Sequence, residues 1–204
     1  MVFTILALIF SIILHEVAHG YAANALGDPT AKLQGRLTLN PLPHIDPIGS
    51  VLLPGLLVLT NAGILFGWAK PVPYNPYNLR DQRWGEAIVS IAGVAVNLAL
   101  AVLFAFIGRF AVDAGMGEFA ALSFMVAWVN LFLGLFNLIP FPPLDGFGVL
   151  RGILPYRYGA GLRELEMRMG GFTGLILFLL LFSFFLADYF FLFVRFVFGI
   201  LVGV

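Results

Sequence analysis

Leu14-His15-Glu16-Val17-Ala18-His19-Gly20 decides how the rest of the chain is read, because it sets three ionisable side chains within an otherwise apolar run. That run, residues 2–26, is long enough to cross a bilayer as a helix. On a helix His15 and His19 lie on one face, a turn apart. Two imidazoles so placed can bind one Zn²⁺ at about 2.0–2.1 Å each. Glu16 stands beside the first of them, where it can take a proton from water that the metal polarises. The plainer alternative is a chance match in a structural helix. An Asp, Lys or Arg at the centre of a membrane helix costs about 2.5–3.5 kcal/mol on insertion scales. Three ionisable groups within five residues are therefore a poor structural choice, and a metal offsets them.

Outward from this stretch, the composition sets the class. Of 204 residues 61% are hydrophobic and 11% charged, with a mean hydropathy of +0.99; soluble domains carry about 25% charged residues. The chain reads as an integral membrane protein of one domain, residues 1–204, whose partners are the lipid bilayer and whatever enters it. Eleven basic and eleven acidic residues cancel, which excludes a nucleic-acid partner. The absence of Cys excludes disulfides, thiolate zinc sites and a cysteine nucleophile. Residues 1–14 lack a positive leading region and run directly into His15, Glu16 and His19, so 2–26 is read as a helix that stays and not as a cleaved signal.

Apolar segments follow at 45–66, 85–112, 118–139 and 172–204, and polar stretches at 27–44, 67–84 and 140–170. Segments 2–26, 85–112 and 118–139 read as full spans. Segment 45–66 contains Pro47, Gly49, Pro54, Gly55, Asn61 and Gly63 and is a poor continuous helix. Segment 172–204 is too long for one straight crossing, which predicts two shorter helices (171–204) broken near Ala187 and Asp188. Leu33, Gly35, Leu37 and Leu39 alternate with Gln34, Arg36 and Thr38, the period of a short β-strand near the site. Pro71, Pro73 and Pro76 make 68–77 extended chain. The expected fold is an all-α polytopic membrane protein of about five to six transmembrane helices, with a re-entrant segment, a short β-strand element and a catalytic core over about 1–155.

A catalytic zinc needs a third protein ligand and an open position. The strongest distant candidate is Asp145, in Asn137-Leu-Ile-Pro140-Phe-Pro142-Pro143-Leu-Asp145-Gly146. Prolines stiffen this stretch, and Gly146 lets the backbone turn just past the carboxylate. Alone it reads as a helix-ending turn with a solvated Asp; beside the histidine pair it reads as a ligand.

These pieces, with Ala92-Gly93-Val-Ala-Val-Asn97-Leu98 between them, resemble the site-two protease family of intramembrane zinc metalloproteases. Leu39-Asn-Pro-Leu-Pro-His44-Ile-Asp46-Pro-Ile-Gly49 and Gly67-Trp-Ala-Lys-Pro-Val-Pro73 are similar to a compact prokaryotic subgroup. The resemblance implies hydrolysis of peptide bonds within or near transmembrane segments of membrane protein substrates, with one Zn²⁺ per chain held by His15, His19 and Asp145. It implies Glu16 as general base, Asn137 as the group that steadies the substrate carbonyl or its oxyanion, and a prokaryotic cell membrane as the location. Two other functions fit parts of the pattern. A membrane zinc hydrolase of prenylated peptides shares the helix motif but takes a Glu or another His as third ligand. A scaffold or transporter would use the same polar residues to line a pathway.

Parity supplies a topology. For His15, His19 and Asp145 to meet, helices 2–26 and 118–139 must run the same way, so an odd number of crossings separates them. Helix 85–112 is one; 45–66 should therefore enter and return. Nine of the eleven basic residues (Lys32, Arg36, Lys70, Arg80, Arg83, Arg151, Arg157, Arg163, Arg168) then share one side, the cytoplasmic one by the positive-inside rule, with the N-terminus outside. The strand at 33–39 can pair with an unwound substrate or simply pack over the site. His44 and Asp46 read as a turn cap ahead of Pro47, and Asn97 as facing the site or bonding between helices. Gly93 and its small neighbours form a close-packing face. Arg163, Glu164, Glu166 and Arg168 read as a solvated helix with local ion pairs. Asp188 and Arg195 pair or sit at the membrane surfaces, and Trp68, Trp84 and Trp128 serve packing or the interface.

Overall fold

A computed structural model describes residues 2–60, 68–81, 84–169 and 172–203. Among them the regular structure is helical: α1 (Val2–Ala25), α2 (Thr30–Leu33), α3 (Leu53–Leu59), α4 (Trp84–Asp113), α5 (Gly117–Asn137), α6 (Asp145–Ile153), α7 (Tyr156–Met169), α8 (Phe172–Leu181) and α9 (Ala187–Val202). Four helical stretches are long and apolar enough to cross a membrane: Phe3–Ala25, Trp84–Asp113, Gly117–Asn137 and Gly174–Val202. These four are the candidate spans among the described residues.

Helix α4 is the central rod. Its thirty residues rise about 45 Å, and it packs on α1, α5, α6 and α9. Ser90, Gly93, Asn97, Ala101, Ala105 and Gly108 are buried along one side. Small side chains there let neighbouring backbones come close, which is how helices gain contact where lipid is as apolar as they are. At Gly108 the ring of Phe124 fills the place a Cβ would take. Further along, Ala101, Leu131 and Val194 form a buried cluster under Trp128, Phe190 and Phe198. The rings of Phe136, Phe178, Phe182 and Phe190 interlock beside it, Phe136 and Phe182 at 5.3 Å between centroids.

One expectation changes, and two others are met in part. The last apolar run is irregular close to where a break is expected: α8 and α9 are joined by a π-helical turn over Phe182–Leu186, just before Ala187 and Asp188, and remain continuous as one apolar helical stretch. No strand forms over 33–39. Gly35 turns the chain at φ +65°, and Arg36, instead of alternating outward, is buried with Nη2 donating to the carbonyls of Lys70 (2.7 Å) and Pro71 (3.2 Å). Of segment 45–66, residues 61–66 lie outside the described residues; 47–59 form a π-helical turn (Pro47–Leu52) and α3. Asp46 caps that turn as expected, accepting from the amides of Ile48 (3.0 Å) and Gly49 (2.7 Å).

The excursion between α1 and α4 ends where it began. Lys70 N–H donates to the His44 carbonyl at 2.8 Å, Trp68 N–H to Gly49 at 3.1 Å, and Arg80 N–H to Leu26 at 2.9 Å. Asp28, fully buried, ties the same junction by accepting from Thr30, the Asn75 amide (2.6 Å) and Asn78 Nδ2 (2.8 Å). Burial alone would raise its carboxyl; these donors reverse that and hold it below the ordinary carboxylate range.

Candidate metal centre

Helix α1 presents His15 and His19 on one face, both buried. Their Nε2 atoms lie 3.0 Å apart. Asp145, the first residue of α6, completes the group: Oδ2 is 2.9 Å from His15 Nε2 and Oδ1 is 3.3 Å from His19 Nε2. Among the described residues this is the group of three His, Asp or Glu side chains that could hold a metal ion. Gly146 is needed for a different reason than a turn: a Cβ there would fall on the Leu138 and Ile139 carbonyls, so its lack of a side chain lets α6 start against the end of α5.

Hydrogen bonds fix which nitrogen of each ring faces inward. His15 Nδ1–H donates to Asn97 Oδ1 at 2.5 Å, and His19 Nδ1–H donates to the Val89 carbonyl at 2.7 Å. Both partners belong to α4. With both Nδ1 atoms protonated, each Nε2 carries a lone pair, and no hydrogen bond reaches Asp145 Oδ2. Three atoms that can each offer a lone pair thus face one another within 3.3 Å, an arrangement that needs a proton or a cation between them. Ligands about 2.0–2.1 Å from a tetrahedral ion lie about 3.3 Å from each other, close to these separations. The residues fit zinc.

The floor is tight. A Cβ on Gly93 would fall 2.6 Å from His19 Cε1 and 2.7 Å from His15 Cε1. Behind His15, Asn97 Nδ2 donates to Asn130 Oδ1 at 2.9 Å, and Asn130 Nδ2 to Ser11 Oγ at 2.9 Å; Asn97 and Asn130 are fully buried. Asn97 therefore does both things foreseen for it, facing the site and bonding between helices. Asn130 escaped the sequence reading, although an amide inside an apolar helix is the signal that finds it.

Glu16 meets the extended strap 68–75, where its Oε2 accepts the Val72 N–H at 2.8 Å. Asn137, at the end of α5, donates from Nδ2 to its own helix at Leu133 O, 3.1 Å away. His44 is buried and lies in the loop framework, its Nε2 donating to Thr38 O at 2.9 Å.

The largest departure from expectation is on α7. Glu86, in the first turn of α4 and almost fully buried, pairs with Arg151 (2.8 Å) and with Arg163 (3.1 Å), and Arg151 pairs with Glu166. Only Arg168 with Glu164, 2.5 Å, is the local pair foreseen there. Arg163 and Glu166 instead close on a buried carboxylate and its arginine, because α7 folds back against α6.

The model of peptidase family M50 matches residues 111–182. The presumed zinc metalloprotease YwhC of Bacillus subtilis (strain 168) is 42% identical over 189 residues, 89% of this chain and 80% of its own length. The presumed zinc metalloprotease Rip2 of Mycolicibacterium smegmatis is 35% identical, over 70% of this chain and 53% of its own. Zinc metalloprotease MJ0392 of Methanocaldococcus jannaschii is 29% identical, over 74% of this chain and 34% of its own. No solved structure gives a significant match.

Proposed function

This chain belongs to peptidase family M50, and we propose that within it His15, His19 and Asp145 hold one zinc ion while Glu16 serves as the general base. The activity is that of an intramembrane zinc metalloprotease. The single observation that carries the ligand assignment is the convergence of His15 Nε2, His19 Nε2 and the Asp145 carboxylate within 3.3 Å of one another, with both Nδ1 atoms engaged elsewhere. Bound there, zinc supplies Lewis-acid polarisation of a water and of the scissile carbonyl.

The remaining chemistry falls to side chains. Glu16 Oε2 is held by the Val72 N–H, which aims the carboxylate and leaves Oε1 to take the water proton and hand it to the departing amide nitrogen. Asn97 and the Val89 carbonyl keep both imidazoles in the tautomer that offers Nε2. For Asn137 to steady the substrate carbonyl, its amide must leave Leu133 O when substrate arrives. Substrates are transmembrane segments that unwind locally, since a helical amide is already hydrogen-bonded. Four apolar helices around it support a site within the bilayer region. Segment 45–66 enters the membrane and returns, a reading supported by the backbone bonds that close its base. The side carrying Lys32, Lys70 and Arg151 is cytoplasmic.

Metal analysis of the purified protein is the direct test, with one zinc per chain expected. His15→Ala and Asp145→Ala should lose it. Full zinc in Asp145→Ala would remove that carboxylate from the ligand set and favour a different third donor. Glu16→Gln should keep zinc and cleave a membrane-embedded reporter about 10²–10⁴-fold more slowly; cleavage at the wild-type rate would exclude Glu16 as base.

A further inference from the structure

The two imidazoles take their orientation directly from α4, through Asn97 and the Val89 carbonyl. Asp145 belongs to another helix, and its placement needs a separate device. Helix α6 is nine residues long, with Asp145 at its first position and Arg151 in its last turn. The Arg151 side chain is 9% exposed and gathers three elements around it. Its Nε donates to Glu86 Oε2 of α4 at 2.8 Å and its Nη1 to Glu166 of α7, and its guanidinium lies near the Tyr74 hydroxyl of the strap. Arg163 closes the other oxygen of Glu86 at 3.1 Å, so acids and bases alternate as Glu166, Arg151, Glu86, Arg163. Midway along α6, Gly148 lies against Ser90 Oγ of α4, which brings the two backbones close and leaves the ion pair to set the helix's rotation and register. Tyr74 stands two residues from Val72, whose N–H holds Glu16.

We propose that Arg151 is a positioning residue: through α6 it holds the Asp145 carboxylate at the two imidazoles, and through Tyr74 it holds the strap that aims Glu16. One planar guanidinium with five donors can serve three partners in fixed directions, whereas an ammonium is a point charge that cannot. The role rests on the zinc reading given above. A plain structural glue between α4, α6 and α7 would use the same contacts, so the test must separate metal binding from stability.

Wild type, Arg151→Lys, Glu86→Gln, Tyr74→Phe and Val194→Ala are compared in detergent. Val194 is fully buried in the Ala101–Leu131 cluster and serves as the control for general destabilisation. Zinc affinity is read by competition with a chromophoric chelator, site geometry by the absorption of the Co²⁺ form, and stability by thermal unfolding. Arg151→Lys and Glu86→Gln should each bind zinc about 10–100-fold more weakly, a loss that Val194→Ala at a similarly lowered unfolding temperature does not show, with altered Co²⁺ bands and a lower kcat at a KM within about twofold of wild type. Their double variant should bind zinc no more weakly than Arg151→Lys alone, since both break one link. Tyr74→Phe should keep zinc affinity and lower kcat. Val194→Ala should keep zinc affinity despite a lower unfolding temperature. Wild-type zinc affinity in Arg151→Lys overturns the role, as does zinc loss in Val194→Ala in proportion to its destabilisation. An Arg151→Lys protein that does not fold also overturns it, because Arg151 would then be a folding determinant. A wild-type protein without zinc sinks the metal reading itself, and the positioning role with it.

Discussion

Gly93 shows how little room the centre leaves. A methyl at that position would press on both imidazoles at 2.6–2.7 Å, contacts that real Cβ atoms do not make. Backbone of α4 cannot retreat without breaking the His19 bond to Val89, so the rings must move instead. Gly93→Ala should therefore fold, since a single alanine favours a helix, and bind zinc at least about tenfold more weakly by chelator competition. Asp28 offers a test by pH. Its folded carboxyl lies below the usual range, so the stability it contributes is present in full above its unfolded value of about 3.9 and is lost as pH falls below that. Asp28→Asn should flatten this acid limb of the unfolding profile. At neutral pH the variant should be less stable by about 2–3 kcal/mol, because a buried carboxylate that accepted charge-assisted bonds has been replaced.

Helix α4 supports the centre on its successive turns: Glu86 pairs with Arg151 of α6, and Val89, Gly93 and Asn97 meet the imidazoles. These residues recur at helical spacing, so one rod can orient ligands that arrive from two others. The amide chain from Asn130 through Asn97 to His15 runs from α5 across α4 to α1. Asn97→Ala leaves His15 Nδ1–H without an acceptor and frees the ring to rotate. We expect zinc affinity to fall about 10–100-fold, while Asn130→Ala, one step removed, should have a smaller effect in the same titration. Equal zinc affinity in Asn97→Ala and wild type would show that His15 is held by packing alone.

At the level of the molecule, the ends of α1 and α5 converge on one site and α4 starts beside them, and Arg80 lies back against Leu26. The chain contains no cysteine, which makes single-cysteine labelling clean. In intact cells, Lys32→Cys and Lys70→Cys should resist an impermeant maleimide, and Asp113→Cys, at the other end of α4, should react. Reaction at position 70 but not 32 would mean that 45–66 crosses the membrane.

Much of the centre was legible before any coordinates. His15 and His19 announce themselves because ionisable groups are costly in an apolar helix, and the spacing of four states which face they share. Asp145 follows from the demand for a third ligand and a rigid proline-rich turn. Helical spans were visible for a similar reason, since a bilayer accepts backbone only where its own bonds are closed. What the amino-acid order does not carry is which long-range partner wins. Arg36 had the alternation of a strand, yet two strap carbonyls drew it inward. Arg163 and Glu166 stand three residues apart on one helix face, yet a buried Glu86–Arg151 pair outbid that local pairing. A charge goes where desolvation is best compensated, and that depends on which groups the folded helices bring within about 3 Å of it. Helix existence and the histidine face are local properties; the partners of each buried charge are settled only when α4, α6, α7 and the strap have packed together.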